Sequence, residues 1–113
     1  MSQVTTHILD TSKGKPAQGV NIILEMKIDN AQWKLLGKGE TNSDGRLPGL
    51  LAPDVKLNTG TYRLVFDTAS YFKNQNIEGF YPSVTIDFII KDESHYHVPL
   101  LLNPFGYSTY RGS

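Results

Sequence analysis

Three histidines, an arginine beside a tight turn and the closing residues hold most of the chemistry available to this 113-residue chain. His7 lies in "THILD", His95 and His97 flank Tyr96 in "HYHVPLLL", Arg46 follows Ser43-Asp44-Gly45, and Tyr110-Arg111-Gly112-Ser113 comes last. Imidazoles move protons near neutral pH because their unperturbed pKa is about 6.5. A fixed guanidinium recognises anionic or carbonyl-rich planar groups and offsets charge that develops on them. Each residue also has a plainer reading, since a lone strand histidine is usually structural and an arginine after a turn usually solvated. Two histidines two residues apart on a strand stand about 7 Å apart, close enough to share a pocket or a metal. A metal would need His7 as a further ligand, and none is expected. The absence of cysteine rules out thiolate nucleophiles and disulfides.

The elements that must position these groups read as strands. Apolar residues recur with period two at Val20, Ile22, Leu24 and Met26, at Tyr62, Leu64 and Phe66, and at Val84, Ile86, Phe88 and Ile90. Further strands are expected over 3–10, 32–40, 95–102 and 106–111. On the first of these, His7 shares a face with Thr5 and Leu9, opposite Val4, Thr6 and Ile8. Alternation puts His95, His97, Pro99 and Leu101 together, opposite Tyr96, Val98, Leu100 and Leu102. Pro99 implies an edge strand or an interrupted pairing, because it has no N–H for a ladder. Turn residues separate the runs, and Asp44-Gly45 reads as a hairpin signal. Residues 67–74 offer Asp67 or Thr68 as an N-cap before a short helix. Seven or eight strands with one short helix predict an all-β, antiparallel sandwich formed by a single domain, 1–113.

The closing "PFGYSTYRGS" is unusual for a chain end, which commonly frays into small polar residues. Its aromatic and β-branched residues favour a final strand. Gly112 can bend the last residue toward a neighbouring surface. Ser113 is expected to bring a hydroxyl and the chain's carboxylate. Eleven basic and eleven acidic residues give no broad electrostatic case for nucleic acid or an anionic membrane. No run approaches the roughly 18 apolar residues of a membrane span. Without a basic segment leading into an apolar run, or an SKL-type ending, a cytoplasmic protein is expected. A cleaved leader would leave peroxisomal or periplasmic placement open.

"HILD", "SDGR", "HYHVPLLL" and the final "YRGS" together make the chain resemble the 5-hydroxyisourate hydrolases, the transthyretin-related enzymes of purine degradation. The resemblance spans nearly the whole chain, and the last two motifs are its most specific. It implies a prealbumin-like sandwich of two four-stranded sheets assembled as a homotetramer, with sites in a channel at the dimer–dimer interface. It implies hydrolysis of 5-hydroxyisourate to 2-oxo-4-hydroxy-4-carboxy-5-ureidoimidazoline, on the way from urate to allantoin, without a cofactor. Carried over by motif, the catalytic set would be His7, Arg46, His97 and Ser113. The substrate would be held by His7, Arg46, Tyr110, Arg111 and Gly112.

Opening the ring amide needs a deprotonated water, a stabilised oxyanion and a proton for the leaving nitrogen. Neutral His7 or His97 would take the proton from water, and Arg46 would hold the carbonyl edge. Tyr110 and Ser113 would fix the heterocycle and the histidine tautomer. His95 would be a supporting neighbour. The competing expectation is a transthyretin-like small-molecule carrier that keeps the channel without catalysis. In such carriers the histidines and "YRGS" are replaced, whereas here they are present.

Overall fold

A computed structural model describes residues 2–113 as two packed four-stranded sheets and one short helix. The strands are β1 (Val4–Asp10), β2 (Lys15–Pro16), β3 (Asn21–Lys27), β4 (Trp33–Glu40), β5 (Gly60–Phe66), β6 (Val84–Ile90), β7 (Tyr96–Asn103) and β8 (Gly106–Thr109). One sheet runs β2-β1-β7-β8 and the other β4-β3-β5-β6. The helix α1 (Thr68–Lys73) lies between β5 and β6 and starts where the Asp67 carboxylate accepts from the Ser70 N–H at 3.2 Å. No described helix is long and apolar enough to cross a membrane.

The period-two runs become the core. Val4 and Ile8 of β1, Ile22 and Leu24 of β3, Tyr62, Leu64 and Phe66 of β5, and Leu100 of β7 are buried between the sheets. Removing such apolar surface from water is the dominant favourable contribution to folding. Asp10 is buried at the end of β1, where it accepts from the Tyr71 hydroxyl at 2.7 Å and from Ser12. Burial works against its charge, yet the Ser12 and Tyr71 hydrogen bonds leave its pKa below the usual carboxylate value. Burial, with Asp10 as neighbour, pushes the Tyr71 phenol up to about 12.

Three details differ from the sequence expectation. β1 and β7 run parallel, pairing Val4 with Tyr96 and continuing to Asp10 with Leu102, within an otherwise antiparallel sandwich. β7 is therefore an interior strand, not an edge, and Pro99 marks the other alternative, an interrupted pairing. The register that sets Leu100 against Thr109 also sets His97 against Gly112, so Tyr110 opposes Pro99. The carbonyls of His97 and Pro99 both turn toward the β8 side, accepting from Gly112 N–H and from the Thr109 hydroxyl. The missing N–H of Pro99 falls on that side, and the continuous ladder stops at Thr109 before the chain rejoins at Gly112.

Asp44-Gly45 does not make a hairpin within one sheet. The turn carries the chain from β4 of one sheet to the other, where Arg46 bridges His7. Gly45 has φ of 73°, and a side chain there would meet the Ile8 carbonyl oxygen at 2.5 Å. The third difference is β2, which is too short to show a period.

Candidate active site

The outer face of the β2-β1-β7-β8 sheet collects the residues that sequence reasoning singled out. Parallel pairing of β1 with β7 sets Thr5 beside His97 and His7 beside Pro99. The Thr5 hydroxyl lies 2.8 Å from His97 Nδ1 and 2.7 Å from His95 Nε2. The two imidazoles stack with centroids 6.2 Å apart and planes 26° from parallel. The Asn42–Arg46 turn brings Arg46 to the same place. Asn42 Oδ1 accepts from the N–H groups of Asp44 and Arg46, Asn42 N–H donates to the Arg46 carbonyl, and Ile8 N–H donates to Gly45.

These groups border an open cleft of about 500 Å³. Thr5, His95 and His97 form its strand side, Arg46 through Gly49 a loop wall, and Ser113 also lines it. Gly112 N–H donates to the His97 carbonyl at 2.8 Å, and its backbone lies flat against the ring. A Cβ at Gly112 would come within 2.5 Å of His97 Cδ2, so any other residue displaces the imidazole or the tail.

Not every predicted residue reaches the cleft within one chain. His7 stands on the neighbouring strand, outside the cleft lining, and its ring interacts electrostatically with His97. Tyr110 is exposed and borders a different groove with Arg111. Arg111 is exposed beyond the end of β8, with its guanidinium 4.4 Å over the Tyr96 ring and near the His95 carbonyl. Sequence reasoning missed Thr5, Asn42 and the Leu47–Gly49 wall. Thr5 had been placed on the face of His7, and only the parallel register shows which strand it meets.

The pKa of His97 lies below the usual histidine value. Burial lowers it first, followed by the positive charge of Arg46 and by electrostatic interaction with the His95 and His7 rings, while a hydrogen bond to the Thr5 backbone works the other way. At neutral pH its ring is therefore uncharged. With Nδ1 engaged by Thr5, Nε2 is the nitrogen left for a water or a ligand.

A family description, HIUase/Transthyretin, matches residues 4–112. The chain belongs to that HIUase/transthyretin family. It is 49% identical over 114 residues to the 5-hydroxyisourate hydrolase of Mus musculus, covering 99% of this chain and 96% of the relative. It is 46% identical over 116 residues to 5-hydroxyisourate hydrolase 2 of Rhizobium meliloti (strain 1021), covering 98% and 96%. Among solved structures, Klebsiella pneumoniae 5-hydroxyisourate hydrolase superimposes with a TM-score of 0.84 at 37% identity, covering 97% of this chain and 98% of that one. Transthyretin from Sparus aurata superimposes with a TM-score of 0.90 at 30% identity, covering 99% and 97%. Both kinds of family member share the sandwich, so the fold alone does not separate enzyme from carrier.

Proposed function

We propose that this family member is a 5-hydroxyisourate hydrolase that opens the ring amide of its substrate. The observation that carries the reading is His97, an uncharged imidazole in a cleft shared with Arg46 and Ser113. The hydrolase relatives, at close to half identity over nearly the whole chain, support the same reading.

In this mechanism His97 Nε2 accepts a proton from a water as the water oxygen attacks the ring carbonyl. Negative charge gathers on the carbonyl oxygen and is met by the Arg46 guanidinium. A donor of that kind typically contributes about 3–4 kcal/mol to the transition state. The tetrahedral intermediate collapses by breaking the ring C–N bond, and the imidazolium returns its proton to the leaving nitrogen. The Ser113 hydroxyl orients the heterocycle in the cleft. The His7 main chain bridges Arg46 and so places the turn that carries the guanidinium.

The cleft of one chain is open, and the expected assembly is a homotetramer in which a second copy covers it. Two features support this. Leu9 and Leu101 are only half-buried on the outer sheet face beside the site. The edge strands β2, β4, β6 and β8 each have a neighbour on one side only. Tyr110 would then complete a cleft in the assembly.

The carrier reading has one observation in its favour, the close superposition on Sparus aurata transthyretin. Freshly generated 5-hydroxyisourate, followed by its ultraviolet absorbance, separates the two. Faster decay with protein than without supports the hydrolase, and binding with an unchanged decay rate supports the carrier.

A further inference from the structure

Thr5 Oγ1 touches two imidazole nitrogens, at 2.7 Å to His95 Nε2 and 2.8 Å to His97 Nδ1. A hydroxyl has one proton to give and lone pairs to accept with. It can therefore donate to only one of the two rings, and the other nitrogen must itself carry a proton and donate to the oxygen. The protonation states of the two histidines are thus tied together through a single side chain. With both rings donating, the oxygen would accept twice and carry no relay; with the Thr5 proton shared between the rings, two arrangements satisfy both contacts. In one, His97 Nδ1–H donates to Thr5 and Thr5 donates to His95 Nε2, leaving His97 Nε2 with a lone pair in the cleft. In the other, every proton in the chain is reversed, and a neutral His97 presents N–H to the cleft.

We infer that Thr5 is a positioning residue for the hydrolysis, fixing the Nδ1–H tautomer of His97 and relaying positive charge from His97 to His95. The inference rests on the hydrolase reading above. When His97 Nε2 takes the proton of the attacking water, the ring carries two protons. The proton on Nδ1 then moves to Thr5 Oγ1 as the Thr5 proton moves to His95 Nε2. One O–H bond forms as another breaks, His95 becomes the cation, and no other reactant is needed. His97 keeps the Nε2 proton for the leaving nitrogen, and the reverse shift restores the starting state.

The surroundings favour moving charge away from His97. Arg46 presents positive charge to it from its turn. His95 lies just before β7, where the Arg111 guanidinium contacts its main-chain carbonyl at 3.4 Å and works against a charge on the ring. Asp92 lies three residues before it in the preceding turn, bonded to Ser94 and Tyr96. The near-parallel stacking of the rings holds both nitrogens on one oxygen.

Thr5→Val keeps the shape and removes the hydroxyl, and Thr5→Ser keeps the hydroxyl. The first measurement is nitrogen-15 NMR of the histidine rings, which needs no substrate. Wild type and Thr5→Ser are expected to hold His97 in the Nδ1–H tautomer, and Thr5→Val to shift it toward Nε2–H. An Nε2–H tautomer in wild type, or no change in Thr5→Val, overturns the inference. The second measurement is turnover: Thr5→Val is expected to lower kcat about tenfold or more with KM changed less than about twofold, and Thr5→Ser to restore most of it. His95→Ala combined with Thr5→Val should be no slower than the slower single variant, because both cut one relay. Multiplying losses overturn it. If wild type itself has no turnover, the hydrolase reading fails while the tautomer measurement still decides the role of Thr5.

Discussion

An imidazole serves as a base at neutral pH only while it stays unprotonated, and His97 is held that way first by burial and then by the Arg46 charge. Its lowered pKa places the acid limb of kcat/KM below the usual histidine range, with activity lost only as pH falls through that lowered value. Arg46→Gln removes one positive neighbour, so the His97 pKa should rise and the limb should move to higher pH. The position of the limb carries the information, because the height of the profile also falls when the oxyanion loses its cation. An unmoved limb would show that the Arg46 charge does not act on His97. At this scale the sequence was readable as types and not as partners. His97 and Arg46 stood out by motif, whereas Thr5 looked like any strand threonine until the parallel register set it against two rings.

Elements decide which of those side chains meet. The alternation of "HYHVPLLL" was legible because burying Tyr96, Val98, Leu100 and Leu102 forces the histidines outward. The strand's neighbours were not legible, since a period of two is the same for an edge and an interior strand. Pro99 resolves the ambiguity only in coordinates, where its missing N–H coincides with the break between Thr109 and Gly112. The Leu47–Gly49 wall belongs to a loop, which has no periodicity to read. The tail's strand character was visible in "GYSTY", and its use follows from Gly112 lying against the His97 ring. A variant lacking Arg111 to Ser113 should keep the sandwich, whose core residues all lie upstream, and lose turnover. Circular dichroism with the decay assay checks this, and a folded, fully active truncation would remove the tail from the mechanism.

At the scale of the whole molecule, the two-sheet sandwich follows from composition and period, while the assembly does not, because one chain's pattern does not say what covers an outer face. The half-buried leucines beside the cleft make a covering copy the expected state. Light scattering should give four times the 12.6 kDa chain mass. A monomer with full activity would mean that one chain's open cleft is sufficient.

The most direct test compares wild type with His97→Ala, at equal subunit concentration, in the absorbance decay of freshly made 5-hydroxyisourate. Wild type should shorten the decay sharply, and the variant should be at least about a hundredfold less effective, as expected when a general base is removed. A wild-type trace that overlays the protein-free one, or an alanine variant that matches wild type, would contradict the account.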